Sequence, residues 1–184
     1  MRIVGGAFGG RRFNPPSGIP ARPTTDIAKE ALFNILNNML DTEGINALDI
    51  FAGTGNIGYE LASRGATRIT MVERDPASIN FIKKTAKELG IEDIAVVIKS
   101  DVFRFMNQCT EQFNFIFADP PYALDALAEL PVVVFRKNLL LPGGIFVLEH
   151  PPHYSFEAHP NYTKVKNYGG TIFTFFTQST QTDV

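Results

Sequence analysis

The tetrapeptide Asp119-Pro120-Pro121-Tyr122 contains the residue types that point most clearly to chemistry in this sequence. It directly follows the apolar run Phe113 to Ala118, which we predict to be a buried strand. Two consecutive prolines stiffen the turn and remove two backbone donors, so carbonyl oxygens and the Asp119 carboxylate remain as acceptors. Such acceptors suit a ligand with N–H donors, for example the exocyclic amine of a nucleobase, and the Tyr122 ring offers a stacking surface. A rigid turn with a capping aspartate is the alternative interpretation.

A second candidate site begins at another predicted strand, Ala47 to Phe51, which carries Asp49 and leads into the turn Gly53-Thr54-Gly55. A strand, a glycine turn and a helix in this order bind nucleotides in open α/β sheets. The glycines, with Gly58, fit the dinucleotide fingerprint G-x-G-x-x-G, and Glu73 follows at the spacing of a ribose-binding acid. With Asp49, they also resemble the first motif of S-adenosylmethionine-dependent methyltransferases. The turn alone therefore leaves both cofactor classes open.

Length and composition indicate one globular domain. The chain has 184 residues, of which 45% are hydrophobic and 20% charged, and its net charge is −2. Because Cys109 is the single cysteine, an internal disulfide framework and a cysteine zinc cluster are excluded, and we expect no metal site. The sequence shows no basic-then-apolar leader and no apolar run of membrane-spanning length, so we expect a cytoplasmic protein, and a monomer.

The charge is unevenly distributed along the chain. Residues 1–30 contain five basic and two acidic residues, which leaves −5 for the remainder. Glycine bends within residues 1–14 predict two short strands, and the prolines that follow hold the chain extended. We therefore predict a basic N-terminal hairpin arm over residues 1–24 that suits a polyanion, with an ordinary solvated hairpin as the alternative. The five basic residues are Arg2, Arg11, Arg12, Arg22 and Lys29.

Beyond this arm, the hydrophobic pattern alternates between helices and strands. Residues 27–39 have apolar positions at helical spacing, and Thr24-Thr25-Asp26 offers caps for that helix. Asp75-Pro76 opens a later helix, and Gly169-Gly170 separates the two strands of a terminal hairpin. This order predicts an α/β fold with a seven-stranded, mostly parallel sheet over residues 25–177, an antiparallel last strand and a polar tail over 178–184. Strands are predicted at 47–51, 68–73, 94–99, 113–118, 145–149, 164–168 and 171–177, and the last crossover helix at 125–140.

Four acids fall at or near the carboxyl ends of predicted strands: Asp49, Glu73, Asp101 and Asp119. In an open α/β sheet these ends meet along one edge, where ligands bind. A single acid there is readily explained as a solvated or capping residue. Four acids on one edge repel one another and therefore do not stabilise the fold, so they predict a binding site.

Motifs along nearly the whole chain resemble the RsmD family, bacterial methyltransferases that modify a guanine amine in 16S ribosomal RNA. The resemblance implies a Rossmann-like class I methyltransferase fold, S-adenosyl-L-methionine as methyl donor, and 16S rRNA in the small ribosomal subunit or its assembly intermediate as acceptor, with the N2 atom of guanine 966 as the target. Lys29 stands where we expect arginine. The motifs are Arg2-Ile3-Val4-Gly5-Gly6, Gly10-Arg11-Arg12, Arg22-Pro23-Thr24, Glu30-Ala31-Leu32-Phe33-Asn34-Ile35-Leu36, Asp49-Ile50-Phe51-Ala52-Gly53-Thr54-Gly55, Ser63-Arg64-Gly65-Ala66, Asp119-Pro120-Pro121-Tyr122 and Glu149-His150.

The resemblance also assigns roles by position. Glu73 would hold the ribose hydroxyls of the cofactor, and Asp101 with Val102 would read its adenine. Asp49 and the turn Phe51-Ala52-Gly53-Thr54-Gly55 would surround the methionine end. Asp119 and the Pro120 carbonyl would bind the amine, with Pro121 and Tyr122 completing the catalytic turn. The arginines Arg2, Arg11, Arg12 and Arg22 would contact RNA phosphates.

Other functions stay open at this point. The tetrapeptide also suits amine methylation of DNA adenine or of protein glutamine. The glycine turn permits a nicotinamide-dependent oxidoreductase, and a non-catalytic RNA-binding assembly module would retain the basic arm. His150 would contact the target base or cap its strand, and Tyr168 would pack near the site or in the hairpin core.

Overall fold

The chain folds around one mixed β-sheet with helices on both faces. A computed structural model describes residues 1–19 and 25–180, so Arg22 and Thr24 lie outside the described residues. None of the helices in the described part is long and apolar enough to cross a membrane. The elements are α1 (Asp26–Leu36), β1 (Asn46–Ile50), α2 (Asn56–Ser63), β2 (Arg68–Glu73), α3 (Pro76–Leu89), β3 (Ala95–Lys99), α4 (Val102–Gln108), β4 (Phe113–Ala118), α5 (Glu129–Arg136), β5 (Leu140–His150), β6 (Tyr162–Tyr168) and β7 (Thr171–Thr177).

The strands are ordered β3-β2-β1-β4-β5-β7-β6 across the sheet. The first five are parallel, and β7 lies antiparallel between β5 and β6. This arrangement confirms the predicted seven-stranded sheet with its antiparallel last strand. The strand order reverses between β1 and β4, and ligands of such sheets bind at this reversal, outside the carboxyl ends of the strands.

Two hydrophobic cores form because successive side chains of a strand point to opposite faces of the sheet. On one face, α1, α2 and α3 pack against the strands through residues such as Leu32, Ile57 and Ile82. On the other face, α4 and α5 contribute Met106 and Leu130. Both faces are covered, as a parallel sheet requires.

Three elements differ from the expectation. Helix α4 was not predicted, and its seven residues begin directly after the capping Asp101. Helix α5 is shorter than the predicted 125–140, because Pro131 lies in its first turn and turns precede it. Strand β5 begins before the predicted 145, since the Pro142-Gly143-Gly144 turn is a bulge within it and Gly143 has a φ of 75°.

The N-terminal arm folds back on itself and packs along α2. In place of the two predicted strands, a single antiparallel bridge joins Arg2 to Arg12. The Ala7 N–H donates to the Ser63 carbonyl oxygen at 2.7 Å, and the Phe8 N–H donates to Ser63 Oγ at 2.9 Å. The arm is therefore tied to the helix that follows the glycine turn.

A buried charge network completes this attachment. The Glu60 carboxylate accepts the N–H groups of Val4 and Gly5 at 2.8 and 2.9 Å, and it lies 3.4 Å from Lys29 Nζ. Both charged side chains are fully buried. Lys29 also donates to the Arg2 carbonyl oxygen and, at 2.7 Å, to Asn56 Oδ1. Burial lowers the pKa of Lys29, and the adjacent Glu60 carboxylate opposes this shift.

Because Lys29 faces inward, helix α1 is rotated relative to the predicted apolar face. Its buried positions are Ala28, Lys29, Leu32, Phe33 and Leu36, whereas Ile27 is 78% exposed. The expectation that Ile27 belongs to the buried face was wrong, since Lys29 lies on the inward side of the helix, where it is paired with Glu60.

We expect Gly6→Ala to destabilise the protein more than Gly10→Ala does. Both glycines have positive φ, 72° and 88°, so alanine costs about 1–2 kcal/mol in backbone strain at either site. At Gly6 the added Cβ would also lie 1.9 Å from the Ser63 carbonyl oxygen, whereas at Gly10 it meets nothing within 4 Å. Urea unfolding measures the difference, and hydrogen exchange at Ala7 and Phe8 reports whether the arm detaches. Equal effects of the two substitutions would contradict the described packing of the arm.

Candidate active site

A cleft of about 610 Å³ opens at the carboxyl ends of β1 to β5. Its walls contain every predicted cofactor-binding and catalytic residue except Gly55, which directly precedes α2 as its N-cap residue. The structure thus brings together residues that are up to 73 positions apart, from Asp49 to Tyr122. The predicted residues that line the cleft are Asp49, Phe51, Ala52, Gly53, Thr54, Glu73, Asp101, Val102, Asp119, Pro120, Pro121 and Tyr122.

The glycine turn bends sharply away from β1. Phe51, Gly53 and Gly55 have φ values of 69°, 55° and 80°, and a left-handed backbone at phenylalanine is strained. At Gly55 a Cβ would lie 2.6 Å from the Tyr59 ring, so glycine is required there. The turn is closed by the Gly55 N–H, which donates to the Ala52 carbonyl oxygen at 2.7 Å. The backbone of this turn therefore forms one wall of the cleft.

Glu73 at the end of β2 holds this turn in place. Its Oε2 accepts the Gly53 N–H at 2.8 Å, and its Oε1 accepts the N–H groups of Arg74 and Asp75 at 2.8 and 2.9 Å. A carboxylate has about four acceptor sites, so three of these bonds leave room for a ligand hydroxyl. The position suits the predicted contact with a ribose.

Asp49 is the most perturbed acid of the cleft. It is 2% exposed, and burial followed by the nearby Glu73 carboxylate raises the pKa of its carboxyl to about 8. Its Oδ2 atom is buried and has no hydrogen-bond partner among the described residues. Buried polar atoms are nearly always paired in folded proteins. This polar atom in the cleft wall therefore marks a place where a polar ligand group fits.

The third predicted cofactor contact lies where β3 meets α4. One Asp101 oxygen caps the helix by accepting the Arg104 N–H at 3.0 Å. The neighbouring side chains of Val102 and Phe103 line the same part of the cleft. These two apolar side chains and the Asp101 carboxylate are compatible with the predicted contact with an adenine. Phe103 was not predicted, because helix α4 itself was not.

The Asp119-Pro120-Pro121-Tyr122 turn forms the opposite wall. The Pro121 carbonyl oxygen accepts the Leu124 N–H at 2.9 Å, whereas no backbone N–H in residues 1–19 and 25–180 donates to the Pro120 carbonyl oxygen. Tyr122 is 38% exposed at the mouth of the cleft. Asp119, Pro120 and Pro121 all line the cleft beside Tyr122, which places the predicted acceptors in its wall.

The charge of the cleft separates the two cofactor classes that the glycine turn left open. Six acids and, among the described lining residues, a single arginine surround it. Such a surface repels a dinucleotide diphosphate and suits a ligand with positive charge, as a sulfonium and its amino group provide. No set of His, Cys, Asp or Glu side chains in the described ranges could hold a metal ion. The acids are Asp49, Glu73, Asp75, Asp101, Asp119 and Glu149, and the arginine is Arg74.

Sequence reasoning missed Glu149 and Asn56 as cleft residues. Glu149 was noted as part of a motif, but an acid within a strand gives no signal of the direction in which it points. Asn56 is the first residue of α2, and its amide oxygen is held by Lys29. A buried lysine in α1 is a signal for such a partner, but the sequence does not say which one.

Two further residues lie outside the cleft. His150 is 1% exposed, and burial lowers its pKa. Its Nδ1 lies 2.9 Å from the Pro151 carbonyl oxygen, so Nδ1 carries the proton, and its Nε2 accepts from Thr174 Oγ1 at 2.7 Å. Tyr168 packs against the core near Phe173, as the hairpin interpretation expected. His150 is therefore a buried structural residue at the end of β5 and does not line the cleft where a target base would bind.

The predicted RNA-binding arginines differ in their surroundings. Arg2 Nε lies 3.4 Å from Asp26 Oδ2, which offsets part of its charge. Arg11 lies over the Phe8 ring at 5.3 Å, and both Arg11 and Arg12 are exposed. With Lys29 buried beside Glu60, the positive surface of the arm is smaller than the sequence count of five basic residues indicates.

The sheet order, the antiparallel seventh strand and the acidic cleft beside the glycine turn together define a Rossmann-like class I methyltransferase, an S-adenosylmethionine-dependent enzyme. Within that class, the chain belongs to the RsmD family, whose model, described as Conserved hypothetical protein 95, matches residues 1–177. The resemblance inferred from the motifs is thereby confirmed.

Named relatives and solved structures agree with this assignment. Ribosomal RNA small subunit methyltransferase D of Haemophilus influenzae is 30% identical over 169 residues, which cover 90% of this chain and 86% of the relative. A hypothetical protein of Thermus thermophilus has a solved structure with a TM-score of 0.83 and 31% identity, covering 96% and 98% of the two chains. The T. thermophilus 16S rRNA N2 G1207 methyltransferase RsmC, solved with AdoMet and guanosine, is similar in fold, with a TM-score of 0.67, 22% identity and coverage of 86% and 44%.

We expect Asp49→Asn to flatten the pH dependence of stability. An unfolded aspartate loses its proton near pH 4, whereas the buried Asp49 keeps it until its pKa of about 8. The folded state therefore holds one more proton between these values, and the free energy of unfolding falls as pH rises through this range. Urea unfolding at about pH 5 and pH 8 measures the slope. The exposed Asp93→Asn is the control, and an unchanged slope in Asp49→Asn would contradict the assigned burial.

Proposed function

We propose that this protein transfers a methyl group from S-adenosylmethionine to the exocyclic N2 amine of a guanine in 16S rRNA. The observation that carries the proposal is the turn Asp119 to Tyr122, which places a carboxylate and the Pro120 carbonyl oxygen in the same cleft as the glycine turn. Among the described residues, no backbone N–H donates to that carbonyl oxygen. The names of the family relative and of the RsmC structure support ribosomal RNA and a guanine amine as the acceptor.

The cofactor fits the half of the cleft formed by β1, β2 and β3. Glu73 would hold the ribose, Asp101 with Val102 and Phe103 would surround the adenine, and the turn around Gly53 would lie along the methionine end. Asp49 Oδ2 has no hydrogen-bond partner among the described residues. The positively charged amino group of the methionine part would favour the ionised form of this carboxyl and donate to it. When bound, S-adenosylmethionine supplies an activated methyl group, and S-adenosylhomocysteine and a proton are the other products.

The acceptor amine fits the other half of the cleft, at β4 and β5. The lone pair of an aromatic amine is delocalised into its ring, which makes the nitrogen a poor nucleophile. Asp119 and the Pro120 carbonyl oxygen would each accept one N–H of the amine, which draws the nitrogen out of the ring plane and frees the lone pair. The same acceptors stabilise the positive charge that develops on the nitrogen as it gains the methyl group. Tyr122 offers its exposed ring to the base.

The partner would be the small ribosomal subunit or an assembly intermediate of it, in the cytoplasm, with the enzyme acting as a monomer. We propose guanine 966 as the target nucleotide, on the strength of the family resemblance. The exposed Arg11 and Arg12 of the arm would contact RNA phosphates, together with Arg2 and Arg22. Because the arm is bonded to α2, phosphate contacts there would orient the RNA relative to the glycine turn.

The decisive experiment supplies methyl-labelled S-adenosylmethionine together with one of four acceptors: small ribosomal subunits lacking the modification, naked 16S rRNA, DNA or protein. We expect label in ribosomal RNA, and mass analysis of its nucleosides should identify N2-methylguanosine. Label that enters only DNA, as N6-methyladenine, or only protein, as methylglutamine, would replace this proposal with one of the other amine acceptors. Absence of transfer to any acceptor would favour a non-catalytic role.

We expect substitutions in the two halves of the cleft to affect different kinetic parameters. Asp119→Ala should lower kcat by about 100-fold or more, because it removes an acceptor used in the transition state. Glu73→Gln should chiefly raise the KM for S-adenosylmethionine, by about tenfold, because it weakens a charged hydrogen bond to the bound cofactor. The exposed Asp125→Ala, near the same turn, is the control. Initial rates at varied cofactor concentration make the comparison, and an unchanged kcat in Asp119→Ala would contradict its role.

A further inference from the structure

Glu149 is an acid of the cleft that has no role in the mechanism above. It is the second-to-last residue of β5, is 5% exposed and lines the cleft. Because it lines the cleft, its carboxylate can contact a ligand group that is bound there.

The sheet places Glu149 directly beside Asp119. Strands β4 and β5 are parallel and in register, with Phe117 opposite Val147 and Ala118 opposite Leu148. One step further, this register sets Asp119 opposite Glu149, and neighbouring strands lie about 4.8 Å apart. Side chains alternate along a strand, so both acids lie on the same face of the sheet as Phe117 and Val147, two residues before them. Two carboxylates therefore stand next to each other on one face, both in the cleft wall.

The order of the strands assigns this pair to the acceptor half of the cleft. Asp49, Glu73 and Asp101 follow β1, β2 and β3, on the cofactor side, whereas Asp119 and Glu149 belong to β4 and β5. Two adjacent acceptors match a base that presents adjacent donors. Guanine does so through its N1–H and its N2 amine, whereas adenine and cytosine place an acceptor nitrogen beside their amine. A glutamine side chain has an amine but no neighbouring ring N–H.

We propose that Glu149 accepts the N1–H of the target guanine and thereby selects guanine over other amino-bearing bases. The proposal rests on the proposed function, since it concerns the acceptor of the same methyl transfer. Asp119 and Pro120 hold the amine that reacts, and Glu149 reads the atom beside it. A base with an acceptor nitrogen at this position would set its lone pair against those of the carboxylate, and the hydrogen bond from N1–H would be missing.

The test replaces the target guanine by 2-aminopurine, which keeps the N2 amine but has an acceptor in place of N1–H and lacks O6. The change of the preference in a Glu149 variant isolates the contribution of N1. Small subunits are reconstituted with 16S rRNA that carries either base at the modified position, introduced by splinted ligation. We expect the wild-type enzyme to methylate guanine with a kcat/KM about 10- to 100-fold higher than that for 2-aminopurine. In Glu149→Gln the amide can donate to 2-aminopurine N1, so this ratio should collapse towards one while the rate on guanine falls.

Each outcome decides for or against the role of Glu149. Wild-type enzyme that methylates both bases equally would overturn the proposal without any variant. A Glu149→Gln enzyme that loses activity on both bases, with an unchanged ratio, would show a positioning or packing role and would also overturn it. Failure of the wild type to methylate guanine at all would instead refute the proposed function.

Two controls keep the comparison interpretable. The exposed Glu157→Gln should leave the ratio unchanged. Binding of S-adenosylhomocysteine to Glu149→Gln should match the wild type, because the acid lies outside the cofactor half. If Glu149→Gln does not fold, Glu149→Asp replaces it. The shorter carboxylate should keep the preference for guanine but weaken it, and an undiminished preference would count against the proposal.

Discussion

The parallel register of β1, β4 and β5 is the constraint on which the site depends. It sets Asp49 opposite Phe117, and it carries Asp119 and Glu149 to neighbouring positions at the strand ends. A slip by one residue would turn each acid into the opposite core, because side chains alternate along a strand. The apolar residues below the acids, such as Phe117 and Val147, hold the register through their burial in the core. The packing of the core therefore determines where the acids of the cleft lie.

Gathering acids at one edge costs stability, and each acid is compensated differently. Glu73 is held by three backbone N–H groups, and Asp101 caps a helix. Asp49 keeps its proton, as its pKa of about 8 indicates. These arrangements let the cleft exist without a ligand while it remains attractive to a cation. A positively charged methyl donor bound there would add a favourable electrostatic interaction with these acids.

Much of this architecture was predictable because it rests on local signals. The alternating strands and helices, the Asp75 cap with Pro76 and the carboxyl-end acids all have sequence patterns with a direct physical cause. Helix α4 was not predicted, because its seven residues are too few to show a clear helical periodicity. The burial of Lys29 was not predicted, because it depends on Glu60, which is far away in the sequence. The orientation of the Glu149 side chain was not predicted either, because it depends on the register between β5 and β4.

The buried pair of Lys29 and Glu60 has a consequence for how this chain can change over time. Loss of Glu60 leaves Lys29 without its buried counterion, which costs about 3–5 kcal/mol. Loss of Lys29 costs less, because Glu60 stays paired with Arg64 at 2.9 Å. The cost of losing Glu60 is a large share of the total stability of a single domain, about 5–15 kcal/mol. Mutational drift can therefore replace Glu60 only if Lys29 changes with it or before it. Descendants of this sequence that have lost Glu60 should also have lost Lys29.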